Sequence, residues 1–272
     1  MAVITISRGT MSGGKKLASM LAERLGYECV SREVILKTAS AYGIPGRDLS
    51  EAIQKGPSFF QKLTCEKERY LAYIQAILCE YADHDNLIYH GHAGHWLLQG
   101  VSHVLRVRIV ASIAYRVRAA KEEFGFSEKE AMRYIKRVDR DRVKWTQFLY
   151  GQDWSSPALY DIVFNLERSD LAFVCGMVQH AVQQSAFQTT SSSAKAMHDL
   201  LTASRVRATL AGIPLIRLEP IQVRADGGSV VVRGRTRSQE MSDTIQRAAA
   251  EVPGVDHVES HLEVDYRSYR IE

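Results

Sequence analysis

Paired cysteines, long apolar runs and a decisive charge excess are all missing from this chain. Its four cysteines, Cys29, Cys65, Cys79 and Cys175, include no C-x-x-C pair among 272 residues. That excludes a disulfide framework and predicts buried free thiols in a reducing compartment. No apolar stretch approaches the roughly 18 residues that a membrane span needs. The opening MAVITISRG has no charged region followed by an apolar one, so no secretory leader is expected. Lysine and arginine number 35 against 31 acidic residues, a net charge of +4. That excess suits a small anionic ligand but is too weak to imply nucleic acid. Together these absences predict a cytoplasmic protein without a transmembrane segment.

What remains is the composition of a globular protein, 46% hydrophobic and 24% charged, long enough for one large domain and one small one. VITIS (residues 3–7) is a β-branched run that fits a buried strand. A glycine-rich stretch follows, then KKLASMLAERLG, with Leu17, Leu21 and Leu25 on one helical face and Gly26 as a stop. Further strands are expected at 27–31, 86–91, 105–110 and 161–166. Helices are expected at 32–42, 57–84, from Ser112 to about Phe124, and from Ser169 or Asp170 to about Phe187. Ser127 and Glu130 form a capping box that opens a basic helix reaching about Tyr150. Apolar strands alternating with helices predict an α/β domain, a five-stranded parallel sheet covered on both faces.

QTTSSSAK (188–195) has the composition of a polar linker. Beyond it a helix, two strands joined by a DGG turn, a helix and a last strand give α-β-β-α-β, a small α+β domain. The expected domains are therefore 1–187 and 197–272, with 188–196 between them.

GTMSGGKK (9–16) nearly matches the phosphate-binding pattern G-x-x-x-x-G-K-[ST]. In such a loop the backbone does most of the work. Glycines turn successive N–H groups inward around phosphate oxygens, and the helix N-terminus adds its positive end. Gly9, Thr10, Ser12, Gly13, Gly14 and Lys15 would hold the donor phosphates. Lys16 stands where the pattern places a magnesium-binding hydroxyl, and an ammonium cannot replace that ligand. Either Thr10, Ser12 or water holds the ion, or Lys16 supplies charge without a metal site.

The run ITISRGTMSGGKKLASMLAERLGYECVSREVI resembles the opening of the cytidylate kinase-like family, a branch of the P-loop nucleoside monophosphate kinases. Ser7, Arg8, Ser12, Gly13, Gly14 and Lys15 carry the likeness, and the family tolerates a residue other than Ser/Thr after its basic one. The resemblance spans about residues 1–187 and implies the P-loop kinase fold, ATP with Mg2+, and a nucleoside monophosphate acceptor, CMP or dCMP first.

Phosphoryl transfer of this kind needs charge neutralisation more than covalent help. YIKRVDRDRVKW (134–145) offers Arg137, Arg140 and Arg142, and Arg137 and Arg140 share a helical face. A charge run like this is by itself better explained by a solvated helix laced with ion pairs. The family resemblance makes it the lid that closes on the phosphates. Arg116 and Arg118 lie on the helix before it, as nucleotide contacts or as plain surface. On the acceptor side SRE (31–33) resembles the family's D-K-E, so Arg32 would hold the acceptor phosphate, with Arg8 beside it and Ser31 in an acidic residue's place. His92 stands where the family has an arginine. His90, His92 and His95 form a histidine cluster, but no nearby carboxylate or cysteine completes a metal set, so no metal site is expected.

IQVRADGGSVVVRGRTRS and VPGVDHVESHLEV resemble the BON domain, which implies a phospholipid or protein ligand and no catalysis. Gly234 is expected to end the second strand of this domain. Arg233, Arg235 and Arg237 alternate there, as a basic stripe or as ordinary surface. Two functions follow. One is ATP-dependent phosphoryl transfer to a nucleoside monophosphate. The other is a catalytically degenerate nucleotide sensor acting through its BON-like module.

Overall fold

The computed structural model describes residues 1–38, 66–91 and 93–265. These residues divide into two compact units. The first takes in the described residues within 1–35 and 84–193, the second those within 36–83 and 194–265.

In the first unit β1 (Val3–Arg8), β2 (Glu28–Ser31), β3 (Leu87–His90), β4 (Val104–Val110) and β5 (Ile162–Asn165) form one sheet. Its order is β2-β3-β1-β4-β5, and every pairing is parallel. This is the five-stranded parallel sheet that the alternating apolar strands predict. Val3, Ile4 and Ile6 are fully buried in β1, so successive residues face a core on each side of the sheet. On one side lie α1 (Gly14–Leu25) and α7 (Leu171–Val182). Leu17 and Leu21 of α1 and Val174 and Val178 of α7 join Ile4, Ile6, Ile88 and Val107 in one cluster. Register aligns Ser31 with His90 and His90 with Ile6, so the carboxyl ends of β1, β2 and β3 lie together. Ligands of open α/β sheets bind at that edge.

After β4, α5 (Ile113–Phe124) and α6 (Glu128–Tyr150) form a hairpin. Ser112 caps α5 by accepting from the Tyr115 N–H. Ser127 and Glu130 make both halves of the predicted capping box, and Gly151 closes α6 with φ 63°. The hairpin has a small core of its own, Val117 and Ala120 against Ala131 and Ile135. Asp170 rather than Ser169 caps α7, which stops at Val182, short of Phe187.

The second unit contains α3 (Glu66–Ala82), α8 (Ser191–Ala211, from residue 194), β6 (Gln222–Asp226), β7 (Ser229–Thr236), α9 (Gln239–Ala250) and β8 (His257–Val264). β6 and β7 pair antiparallel across a turn in which Gly227 and Gly228 both have positive φ, and β7 and β8 pair parallel. The apolar face of α3 goes into this unit. Ala72, Tyr73 and Ala76 share a core with Val206, Leu210, Val230, Val232 and Ile245. Glu80 pairs with Arg205 and Glu68 with Arg207. Sequence reading places this helix within residues 1–187, because an apolar stripe does not say which core it serves.

Two local expectations are corrected. The polar stretch at 188–195 is in large part the start of α8. Thr190 and Ser193 bond each other reciprocally, Ser193 N–H to Thr190 Oγ1 and Thr190 N–H to Ser193 Oγ. Its serines and threonines are thus a helix cap, not a flexible tether. Gly234 does not end β7. The strand runs through it to Thr236, at φ 149°, because a Cβ there would lie 1.9 Å from the Pro220 carbonyl oxygen.

Candidate functional site

The loop between β1 and α1 leaves the sheet at Arg8 and enters α1 at Gly14. Gly13 precedes the helix at φ 88°, a left-handed conformation that glycine adopts without strain. A Cβ on Gly13 would also lie 2.7 Å from Leu166 Cδ1. The buried Ser12 hydroxyl donates to the Gly9 carbonyl at 2.9 Å and lies 3.4 Å from the Ile109 carbonyl. Ser12 therefore ties the loop to β4. Among the described residues, the N–H groups of Gly13, Gly14, Lys15 and Lys16 have no hydrogen-bond partner. Four consecutive free N–H groups at a helix start form a ready anion cradle. Lys15 and Lys16 are both exposed there. They line a cavity of about 570 Å3 with Arg8, Tyr115, Glu122 and Glu123.

The α5–α6 hairpin reaches this loop, and of Arg137, Arg140 and Arg142 it is Arg142 that bonds to it. Its Nη1 donates to the Arg8 carbonyl at 2.7 Å. Burial, with Arg8 close by, pushes the Arg142 guanidinium down to about 10. Burial also lowers Arg8, against the pull of Glu33, and Arg8 Nε is buried with no hydrogen-bond partner. Arg8 and Arg142 thus meet through the Arg8 carbonyl, and among the described residues no carboxylate is hydrogen-bonded to either guanidinium. Arg137 and Arg140 are exposed, and Arg137 lies over the Tyr134 ring, 5.9 Å from its centroid. Their common face is not the one turned to the loop.

Two groups that sequence reading left open or passed over complete the grip. Arg116 donates from Nε to the Thr10 carbonyl at 2.6 Å and from Nη2 to Asp139. Asp139 accepts from the Thr10 N–H at 3.3 Å. A cluster in β4 and the segment after α6 also escaped notice. Arg108 is buried, donates to the Trp154 carbonyl and lies over the Trp154 ring at 4.5 Å. The Tyr160 hydroxyl is 2.8 Å from the same carbonyl and 3.2 Å from Ser7 Oγ. This fastens the chain beyond the lid to the end of β1. An arginine in the middle of an apolar strand was the available signal.

At the carboxyl edge of the sheet, Ser31 ends β2 and its hydroxyl accepts from the Val34 N–H at 3.4 Å. Arg32, half-buried, opens α2 (Arg32–Thr38). His90 is buried at the end of β3. Burial, Arg8 and Lys15 lower its pKa, and Glu33 works against them. Burial tends to raise the Glu33 carboxyl, but bonds from the Ser31 hydroxyl and its own backbone, with Arg8 and His90 nearby, hold it below its usual range. Arg8, Glu33, His90 and Lys15 therefore sense one another across one edge. His92 lies outside the described residues. His95 packs against Trp96 and Tyr160, and burial drives it to about 4. Among the described residues no group of three His, Cys, Asp or Glu side chains is placed to hold a metal. Cys29, Cys79 and Cys175 are free thiols, raised by burial, Cys79 to about 12.

A parallel sheet with a glycine loop after its first strand, cations gathered over that loop and a helical hairpin leaning on it defines a P-loop kinase-type α/β unit. Comparison with known proteins takes this further. Residues 3–168 match the cytidylate kinase-like family, and residues 198–266 match the BON domain. The chain belongs to the cytidylate kinase-like family and carries a BON domain. It is 29% identical over 168 residues to a cytidylate kinase of Ignicoccus hospitalis, which covers 61% of this chain and 90% of that protein. Among solved structures it resembles an uncharacterized protein from Eubacterium ventriosum, with TM-score 0.53 and 17% identity over 66% of this chain and 97% of the other. It also matches a shikimate kinase from Bacteroides thetaiotaomicron, with TM-score 0.40 and 15% identity over 67% of this chain and 99% of the other. No described helix is long and apolar enough to cross a membrane.

Proposed function

We propose that this protein transfers the γ-phosphoryl group of ATP to a nucleoside monophosphate, with CMP or dCMP the first acceptor to test. One observation carries the reading: among the described residues the N–H groups of Gly13 to Lys16 are free, Arg8, Lys15 and Lys16 line the cavity beside them, and Arg142 reaches the Arg8 carbonyl. Like charges held this way are unfavourable until an anion arrives, and a phosphoryl group carries that charge. Lys15 and the N–H groups of Gly13 to Lys16 would bind the donor phosphates. Arg142 would neutralise the transferring group, and Arg137 and Arg140 would need the lid to shift before they joined it. Arg32, Arg8, Ser31 and His92 are the proposed acceptor contacts. No general base is required, because the attacking atom is already a phosphate oxygen.

Magnesium, when bound, would screen the phosphates. Thr10, Ser12 or water would hold it. Lys16 replaces the helix-start hydroxyl and cannot be a ligand, whereas Ser12 Oγ keeps its lone pairs while donating to the Gly9 carbonyl and Thr10 Oγ1 is buried with no hydrogen-bond partner among the described residues. The BON domain is proposed to bind a phospholipid or protein partner, and the protein to work in the cytoplasm. The second reading, a nucleotide sensor signalling through that domain, draws on Lys16 and Ser31, which depart from the family pattern. ATP turnover against a panel of nucleoside and deoxynucleoside monophosphates, with Lys15→Ala as control, separates the two. Acceptor-dependent diphosphate that vanishes in the control supports the kinase. ATP binding without turnover supports the sensor.

A further inference from the structure

The kinase reading gives Arg116 and Asp139 no role, yet both bond to the backbone of Thr10. The polar groups at its start are held one by one. The Arg8 carbonyl accepts from Arg142, and the Gly9 carbonyl accepts from the Ser12 N–H and hydroxyl. The Thr10 N–H goes to Asp139, and the Thr10 carbonyl to Arg116. Three of these partners, Arg116, Asp139 and Arg142, come from the α5–α6 hairpin. None of them touches the free N–H groups of Gly13 to Lys16. Between the two halves Met11 sits at φ 61°, a left-handed conformation that a side chain keeps only where its surroundings hold it.

We infer that Arg116 and Asp139 are positioning residues, a latch by which the lid hairpin holds Gly9–Thr10 so that the second half of the loop stays shaped for phosphate. An ordinary inter-helix ion pair would need neither the bond to the Thr10 carbonyl nor the one to its N–H. An inhibitory carboxylate would sit on the free N–H groups, whereas Asp139 sits on Thr10. Lid position and loop shape are then one equilibrium, and a ligand that draws in the lid also firms the loop. The consequence for turnover rests on the proposed kinase activity; the latch itself does not.

The test uses the full chain and three variants, Asp139→Asn, Arg116→Ala and the two combined. Hydrogen exchange of the segment 9–12 is read without nucleotide, and ATP titration and steady-state kinetics are read beside it. Each single variant is expected to speed exchange at Gly9–Thr10 at least tenfold, with exchange at Ala131–Ile135 unchanged. Each weakens ATP at least tenfold and raises KM as well as lowering kcat. The double variant is expected to be no worse than the worse single, because the two residues act as one unit. Arg116→Lys, which keeps the charge but not the two-pronged hold, shows a smaller change in the same direction and serves if Arg116→Ala does not fold. Unchanged loop exchange, additive single effects, or tighter ATP binding by Asp139→Asn would each overturn the latch. If the wild type binds no ATP, the kinase reading fails while the exchange measurement still decides the latch.

Discussion

Replacing Arg142 by methionine separates a residue kept for folding from one kept for its ligand. Methionine retains much of the aliphatic stem and removes the charge. In the folded protein the guanidinium is pushed down to about 10 by burial and by Arg8. Each pKa unit is worth about 1.4 kcal/mol. Half-burial screens part of this, so keeping the charge costs on the order of 2 kcal/mol. Against that stands one hydrogen bond, from Nη1 to the Arg8 carbonyl, worth about 1–2 kcal/mol with a charged donor. The two nearly cancel, so Arg142→Met should unfold within about 3 °C of wild type or slightly above it. Phosphate binding should behave differently. A charge-assisted contact of about 2–3 kcal/mol is lost, roughly a 30- to 150-fold weakening of ATP. Thermal unfolding with and without ATP reads both quantities in one experiment, since ligand raises the wild-type midpoint and should barely move the variant's. A fall of more than about 5 °C with ATP affinity unchanged would refute the argument and make Arg142 a structural residue.

Other perturbations probe the same account. Gly13→Ala meets both a left-handed φ of 88° and Leu166 Cδ1 at 2.7 Å, so ATP affinity should drop at least tenfold and stability by about 1–3 kcal/mol; ATP titration beside urea unfolding measures both. Gly234→Ala would drive a methyl to 1.9 Å from the Pro220 carbonyl oxygen. It should destabilise the BON-domain unit by 3 kcal/mol or more while leaving ATP binding in place, which pairs thermal unfolding with nucleotide titration. His95 is lowered to about 4 from the ordinary histidine range, so the unfolded chain binds more protons between about pH 6.5 and 4. Its contribution is intact above that window and is lost as pH falls through it, on the order of 3 kcal/mol. His95→Gln should flatten the loss of stability seen on acidification, and an unchanged slope would show that the ring is not held neutral.

Some of this was visible in the residues and some was not, for reasons that can be located. Both ends of α6 could be read because Ser127 and Glu130 complete a reciprocal cap and Gly151 supplies a left-handed stop. The strand–loop–helix turn at Gly9–Lys16 could be read because its signals are local, a β-branched strand, glycines and a helix start. The partners of that loop could not. Arg137, Arg140 and Arg142 look alike in a charge run, and only the packing of α6 through Ala131 and Ile135 turns Asp139 and Arg142 toward the loop. The allegiance of α3 was hidden because Ala72, Tyr73 and Ala76 would suit either core. Gly234 reads as a terminator until the Pro220 carbonyl occupies the space where a Cβ would stand.

The central claim is acceptor-dependent phosphoryl transfer at the loop that Lys15 opens. Its most direct measurement is diphosphate formation from ATP by the full chain, with CMP and dCMP as acceptors and Lys15→Ala in parallel. The account predicts CDP or dCDP that appears only with acceptor and is lost in the variant. Turnover equal in both proteins, or none with any nucleoside monophosphate, would contradict it.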